Sequence, residues 1–189
     1  MARCIGTKNL HYALLTSDGS GIEPMYDSME KIPKVINFKT TDNYAEYTFY
    51  SEDGVEETGK KLVSVEIEIE VGYIGNKLKS DITGVTYDPT TGKTYKNSNM
   101  VQPAIAIAYE MTKSAGAPSD YRVLYKCNLS IDESESTTTE DGIESNNFVL
   151  KGIAVPLSYN GNVDMEINGE EVAEGAQEVI NNFFTEIQL

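Results

Sequence analysis

Between residues 62 and 73 the chain reads LVSVEIEIEVGY, with Val63, Val65, Ile67, Ile69 and Val71 on every second position and Ser64, Glu66, Glu68 and Glu70 between them. A period of two sends successive side chains to opposite faces of a strand, so this stretch predicts one aliphatic face and one acidic face. Five β-branched residues on one side suit a sheet packed on a core. Three carboxylates in a row on the other side repel one another unless water separates them. That row faces a wet space, which is open solvent, a binding cleft or a water-filled channel.

The neighbouring segments extend the same pattern. Residues 1–8 show no clear period and predict an N-terminal arm, while 9–16 predict a first strand ending at the turn-rich 17–21. Strands are expected over 34–41 and 44–50, and the polar run SEDGVEETGKK at 51–61 predicts the long tip of a hairpin leading into the acidic strand. Leu78 and Ile82 stand four apart within 74–84, the spacing of a short helix, with Gly84 as its stop. The DPTTG between Tyr87 and Tyr95 predicts a small hairpin. Residues 103–113 alternate Ile105, Ile107 and Tyr109 with alanines, and 121–131 alternate Tyr121, Val123, Tyr125, Cys127, Leu129 and Ile131, so the two are expected to pair across a turn at 114–120.

Residues 132–147 are acidic and rich in Ser, Thr, Gly and Asn, with Ile143 alone able to bury much surface, and predict a mobile loop or extended hairpin. A strand is expected over 148–159, a turn at Asn160-Gly161, and a returning strand over 163–167. Val172, Ala176, Val179, Ile180, Phe183, Phe184 and Ile187 then recur at helical spacing and predict a helix over 174–187. The tips SEDGVE at 51–56 and TEDGIE at 139–144 echo one another, a short similarity built on the common Asp-Gly turn pair.

Composition narrows the function classes. A chain of 189 residues fits one domain, expected over 1–189, and nothing in it reads as a linker. Lys and Arg total 15 against 30 Asp and Glu, and the net charge of −15 argues against gripping phosphate. Cys4 and Cys127 have no metal-ligand spacing and predict reduced thiols in a cytosolic setting. The N-terminus lacks a continuous apolar stretch of signal-peptide type, and no run reaches transmembrane length. His11 is the only histidine, which rules out a histidine-rich metal site, and no partner for it as a general base is visible. Its expected place is the polar side of a strand. Carboxylate pairs of glycosidase type stay open, since 30 acids satisfy that condition trivially. For Glu66, Glu68 and Glu70 three readings stand together: a solvated face, an acidic lining, or calcium ligands, although neither EDG tip continues as an EF-hand loop. The Asn128-Leu129-Ser130 sequon falls inside an expected strand.

The order of segments resembles a known family. The opening GTKNLHYALLT with a Gly-rich turn, the acidic strand running into the short helix and GVTYDPTTG, the pair PAIAIAYEMTK and YRVLYKCNLS, and the closing AQEVINNFFTEI are similar to the major tail proteins of long non-contractile-tailed phages, of the phi13-like type. The resemblance spans nearly the whole chain. It departs at 75–80, which is less acidic than usual, and at Phe183, where the family has a tryptophan. It implies a mainly β fold, a two-sheet β-sandwich or barrel-like tail-tube subunit with a short helix and a C-terminal flanking helix. It further implies a structural virion protein, made in the host cytoplasm, that is not an enzyme and takes no cofactor or metal. The subunits would form homo-hexameric rings stacked into a tube, with tape-measure and tail terminator proteins as partners. DNA would pass through without specific binding, and no membrane would be involved.

On that resemblance Glu66, Glu68 and Glu70 are expected to line the lumen, with Val65, Ile67 and Ile69 inside the subunit. A carboxylate wall repels phosphate and does not stick to a sliding genome. Glu52, Asp53, Gly54, Val55 and Glu56 are the expected inter-ring contact, together with the arm and the acidic loop. The alternative is a β-sandwich carbohydrate- or receptor-binding module, for which 12 tyrosines and acidic loops speak. An acid-pair hydrolase is the third reading.

Overall fold

The computed structural model describes residues 2–52, 54–134 and 147–189. The alternating stretches become β1 (Cys4–Gly19), β2 (Ile22–Tyr26), β3 (Glu30–Lys31), β4 (Val35–Ser51), β5 (Gly54–Val71), β6 (Thr86–Tyr87), β7 (Thr94–Tyr95), β8 (Ile105–Lys113), β9 (Asp120–Ser134), β10 (Phe148–Ala154) and β11 (Asp164–Ile167). One large antiparallel sheet runs β2-β1-β8-β9-β10-β5-β4, with β3 added on β1 and β11 on β9, and β6 and β7 make a second small sheet. Among the described residues helix is confined to α1 (Asn76–Thr83) and α2 (Gln177–Asn181), apart from short 3-10 turns. The protein is mainly β, with the sheet arrangement of a β-sandwich.

The large sheet curls over its own core. Phe38 on β4 meets Tyr109 on β8 at 4.5 Å between ring centroids, although three strands separate β4 from β8 within the sheet. Asp42 on β4 likewise reaches Arg122 on β9 at 3.7 Å. The aliphatic row of β5 supplies Val65, Ile67, Ile69 and Val71 to this core, where they meet Ile105, Ile107, Leu129 and Leu150. A second core lies on the other face of β8 and β9, around Ala108, Val123, Tyr125, Leu157 and Phe183. The middles of these two strands, 105–110 in β8 and 123–125 in β9, are therefore buried on both faces, and there apolar residues run consecutively at 105–109 and 123–125.

The expected pairing of 103–113 with 121–131 is realised as the β8–β9 ladder, with Ile107 opposite Leu124 and Met111 opposite Asp120. The short helix is α1. Leu78 and Ile82 are its buried residues, and Gly84 closes it at φ 74 with its N–H donated to the Ser80 carbonyl. That left-handed cap favours glycine, and a Cβ there would also strike the Val101 carbonyl oxygen at 2.2 Å. Polar contacts then fix α1 to the sheet: the buried Tyr12 hydroxyl donates to Asp81 at 2.7 Å, and Lys77 pairs with Glu30. Burial first, and then the Asp81 and Glu30 carboxylates, push the Tyr12 phenol far above its ordinary pKa.

Several expectations need correction. The arm of residues 1–8 is strand from Cys4 onward, with Cys4 opposite Lys113 and Lys8 opposite Glu110. A register shift between Lys8 and His11, with Asn9 at φ 52, breaks the period there and hides the strand from a simple alternation count. The hairpin expected at 51–61 is formed, but its turn is confined to the residues between the paired Ser51 and Gly54, and 54–61 are already strand β5. The returning strand β11 pairs with β9 rather than with β10. The helix expected over 174–187 is reduced to the five residues of α2. Asn181-Asn182 are weak helix formers, and the chain turns there so that Phe183 stacks on Tyr121 at 5.2 Å. Of the acidic loop, residues 132–134 belong to β9, and 135–146 lie outside the described residues, as does the TEDGIE half of the internal echo.

Candidate functional site

Three surface features surround β5: a projecting ribbon at one end, an acidic face along its middle, and a cavity at the other end. The ribbon begins at a β-bulge. Asn43 faces Ser64 and Tyr44 faces Leu62, so Val63 is the extra residue and is 49% exposed, unlike the buried members of its row. A bulge bends a hairpin and re-aims the strands beyond it. From here every described residue between 44 and 58 is exposed. Among the described residues the two strands pair only with one another here. Tyr47 and Phe49 touch on one face at 5.5 Å, and Tyr50, 74% exposed, stands opposite Val55 on the other. Tyr47 also lies over Gly59, where a Cβ would come within 2.3 Å of its hydroxyl oxygen. Lys60 pairs with Glu46 at 2.6 Å and holds that carboxyl below its ordinary pKa.

The expected inter-ring residues cap this ribbon. Glu52 turns the chain at φ 46, Gly54 closes the ladder against Ser51, and Val55 and Glu56 are exposed. Asp53 lies outside the described residues.

The acidic face is oriented as its alternation demands. Glu66 and Glu68 are exposed and Glu70 is half-buried, on the side of β5 away from the core. The face is not purely negative, however. Glu68 stands between Lys39 on β4 and Lys151 on β10, Glu66 between Thr41 and Ile153, and Glu70 between Asn37 and Val149. Asn43 donates to Glu66 at 2.9 Å and Asn147 to Glu70 at 2.8 Å. Lys39, Glu66, Glu68 and Lys151 enclose a shallow groove of about 340 Å³ on this face. The two lysines lie 29 residues before and 83 residues after Glu68, and only strand pairing brings them beside it. No local signal in the sequence reveals them.

At the far end of β5 the chain turns through Ile74 into α1, and a cavity of about 630 Å³ opens between α1, the 96–102 segment and β9. Its wall is apolar at Ile74, Met100, Leu129 and Phe148, and it carries the ammonium groups of Lys79 and Lys96. Periodicity could not have found it, because its lining comes from four separate stretches.

The carboxylates inside the body are held in structural contacts. Glu110, 6% exposed, accepts from Asn9 at 2.9 Å and pairs with Lys8 at 3.1 Å. Burial opposes its charged form, yet Ser119, Asn9 and Lys8 together hold its pKa below the ordinary value. Arg122 reaches one oxygen of Asp164, Oδ2, with Nε at 2.6 Å and Nη2 at 2.5 Å, a charged contact joining β9 and β11. Asp18 binds Lys126 at 2.6 Å and accepts from the backbone N–H and the hydroxyl of Ser158. His11 stacks on Phe184 at 4.7 Å, with Nδ1 against the Asn9 carbonyl at 2.8 Å. Among the described residues no group of three His, Cys, Asp or Glu is arranged to hold a metal ion, and no helix is long and apolar enough to cross a membrane. No protein-family model matches the chain, and no curated protein matches it.

Proposed function

We propose that this chain is a self-assembling structural subunit, a tail-tube protein that forms stacked hexameric rings around a channel for a phage genome. The observation that carries the reading is the β4–β5 ribbon. A two-stranded ribbon is marginal in water on its own, and this one holds Tyr47, Phe49, Tyr50 and Val55 exposed on its two faces. Such a ribbon is explained if another copy covers it. β4 gives further support: among the described residues its 17 positions pair with β5 alone. Long open edges of this kind invite a further strand, and a ring that closes edge on edge removes them.

In that assembly Glu66, Glu68 and Glu70 face the channel. The lysines beside Glu68 moderate the wall locally, while the net charge of −15 keeps the subunit as a whole repulsive to DNA. The reading also places the subunit in the virion beside tape-measure and terminator proteins.

Purified full-length protein examined by light scattering and negative-stain microscopy tests the proposal. Rings or tubes are expected as concentration rises. A protein that stays monomeric at every concentration and retains a glycan would replace this reading with the binding-module one. In reconstructed tubes, a lumen built from other residues with the 66–70 carboxylates turned outward would remove the lining.

A further inference from the structure

The tip of the ribbon and the cavity beside α1 sit at opposite ends of the same strand. β5 starts at Gly54 in the tip, and its last residue, Val71, pairs with Phe148 of the cavity wall three positions before Ile74 enters the same wall. At about 3.3 Å per residue the two ends are roughly 50 Å apart. No copy can satisfy its own cavity with its own tip.

The two ends are also complementary. The tip presents Tyr50 and Val55 at 74% and 57% exposure, flanked by Glu52 and Glu56. Neither carboxylate has an ion-pair partner among the described residues. The cavity presents an apolar wall of Ile74, Met100, Leu129 and Phe148 beside Lys79 and Lys96. Neither of these ammonium groups has a carboxylate partner among the described residues either, although the chain has twice as many acids as bases. A cavity of about 630 Å³ exceeds what one side chain fills, and it can take the Tyr50 and Val55 pair.

From this juxtaposition we infer that the ribbon tip of one copy docks in the α1 cavity of the next, with Tyr50 and Val55 against its apolar wall and Glu52 and Glu56 against Lys79 and Lys96. The contact is head-to-tail. Donor and acceptor lie at opposite ends of one long strand, so repeating the contact propagates a stack along the strand direction and does not close a dimer. The inference rests on the self-assembly reading above and specifies which surfaces join successive layers.

The test uses full-length protein carrying Cys4→Ser, which leaves only the buried Cys127 thiol. Two versions with one added cysteine each, Val55→Cys and Met100→Cys, are mixed under mild oxidation. A disulfide between the two different variants is expected, with little within either variant alone. In parallel, Lys79→Glu with Lys96→Glu, and separately Glu52→Lys with Glu56→Lys, should each raise the concentration needed for tubes by roughly tenfold or more, the equivalent of at least about 1.4 kcal/mol per contact. Combining all four changes should restore assembly, which shows that the single-sided variants fold. If the wild type forms tubes while both charge variants assemble equally well and no mixed disulfide appears, the docking inference is overturned and the tube reading survives. If the wild type never assembles, both fall together. Rings that form normally from either charge variant but do not stack support the inference directly, since edge pairing and end docking then separate.

Discussion

The same substitution at two glycines of the large sheet should have opposite consequences, and the contrast tests the division between body and ribbon. Gly152 lies in β10, paired on one side with Leu129 of β9 and on the other with Ile67 of β5. A Cβ there would sit 1.9 Å from the Asn128 carbonyl oxygen and 2.8 Å from both its carbon and a methyl group of Leu129. Ordinary contact needs more than 3.4 Å, so backbone must move by over an ångström in a strand laddered on both edges. Overpacking of this kind costs about 1–3 kcal/mol, and loosening one or two ladder hydrogen bonds adds about 1 kcal/mol each. Gly152→Ala should therefore destabilise by about 3 kcal/mol, which for a chain of this size lowers the melting temperature by about 6–12 °C. Gly59→Ala meets an equally close atom, at 2.3 Å, but that atom is the end of the Tyr47 side chain on an exposed ribbon. The ring can swing away. The cost of uncovering it is offset by about 0.4–1 kcal/mol from the restricted unfolded chain, so the melting temperature should stay within about 2 °C of wild type. Thermal and urea unfolding followed by circular dichroism measure both. A Gly152→Ala protein as stable as wild type, or a Gly59→Ala protein equally weakened, would refute the reasoning.

Three further outcomes are expected. Burial opposes the Asp18 carboxylate, but Lys126 and the Ser158 donors outweigh it and hold its pKa below the ordinary carboxylate range. Its contribution to stability is therefore complete above the unfolded value near 4 and lost as pH falls through the lower folded value, so urea midpoints measured against pH should fall less steeply on the acid side in Asp18→Asn than in wild type. Glu68→Lys should destabilise the isolated subunit by about 1–2 kcal/mol more than Glu66→Lys, because it exchanges two cross-strand opposite-charge neighbours, Lys39 and Lys151, for two like-charge ones, and equal urea midpoints would argue against that register. The exposed Cys4 should react at once with a thiol reagent, whereas Cys127, whose thiol burial pushes well above its ordinary pKa, should react only in denaturant; two fast thiols in the native protein would contradict its place in the core.

Local patterning alone determined much of this protein. The strict alternation of β5 dictated that Val65, Ile67, Ile69 and Val71 go inside and Glu66 and Glu68 outside, because side chains on a pleated strand have only two directions. Leu78, Ile82 and Gly84 likewise specified α1 and its end, and the alternations of β8 and β9 specified their partnership. What local patterning could not supply was anything depending on which distant residues become neighbours. The bulges at Asn9 and Val63 shift the period by one, so the first concealed a strand and the second turned an apparent core valine toward solvent. The apolar spacing of 174–187 imitates a helix, yet the residues that decide the outcome are Tyr121 and Val123 on β9, against which Phe183 is better placed by a turn. The lysines beside Glu68, and the cavity facing away from the ribbon tip, are likewise products of pairing and curvature. They exist only once the sheet has closed, because strand register acts between segments tens of residues apart and leaves no periodic trace in either one.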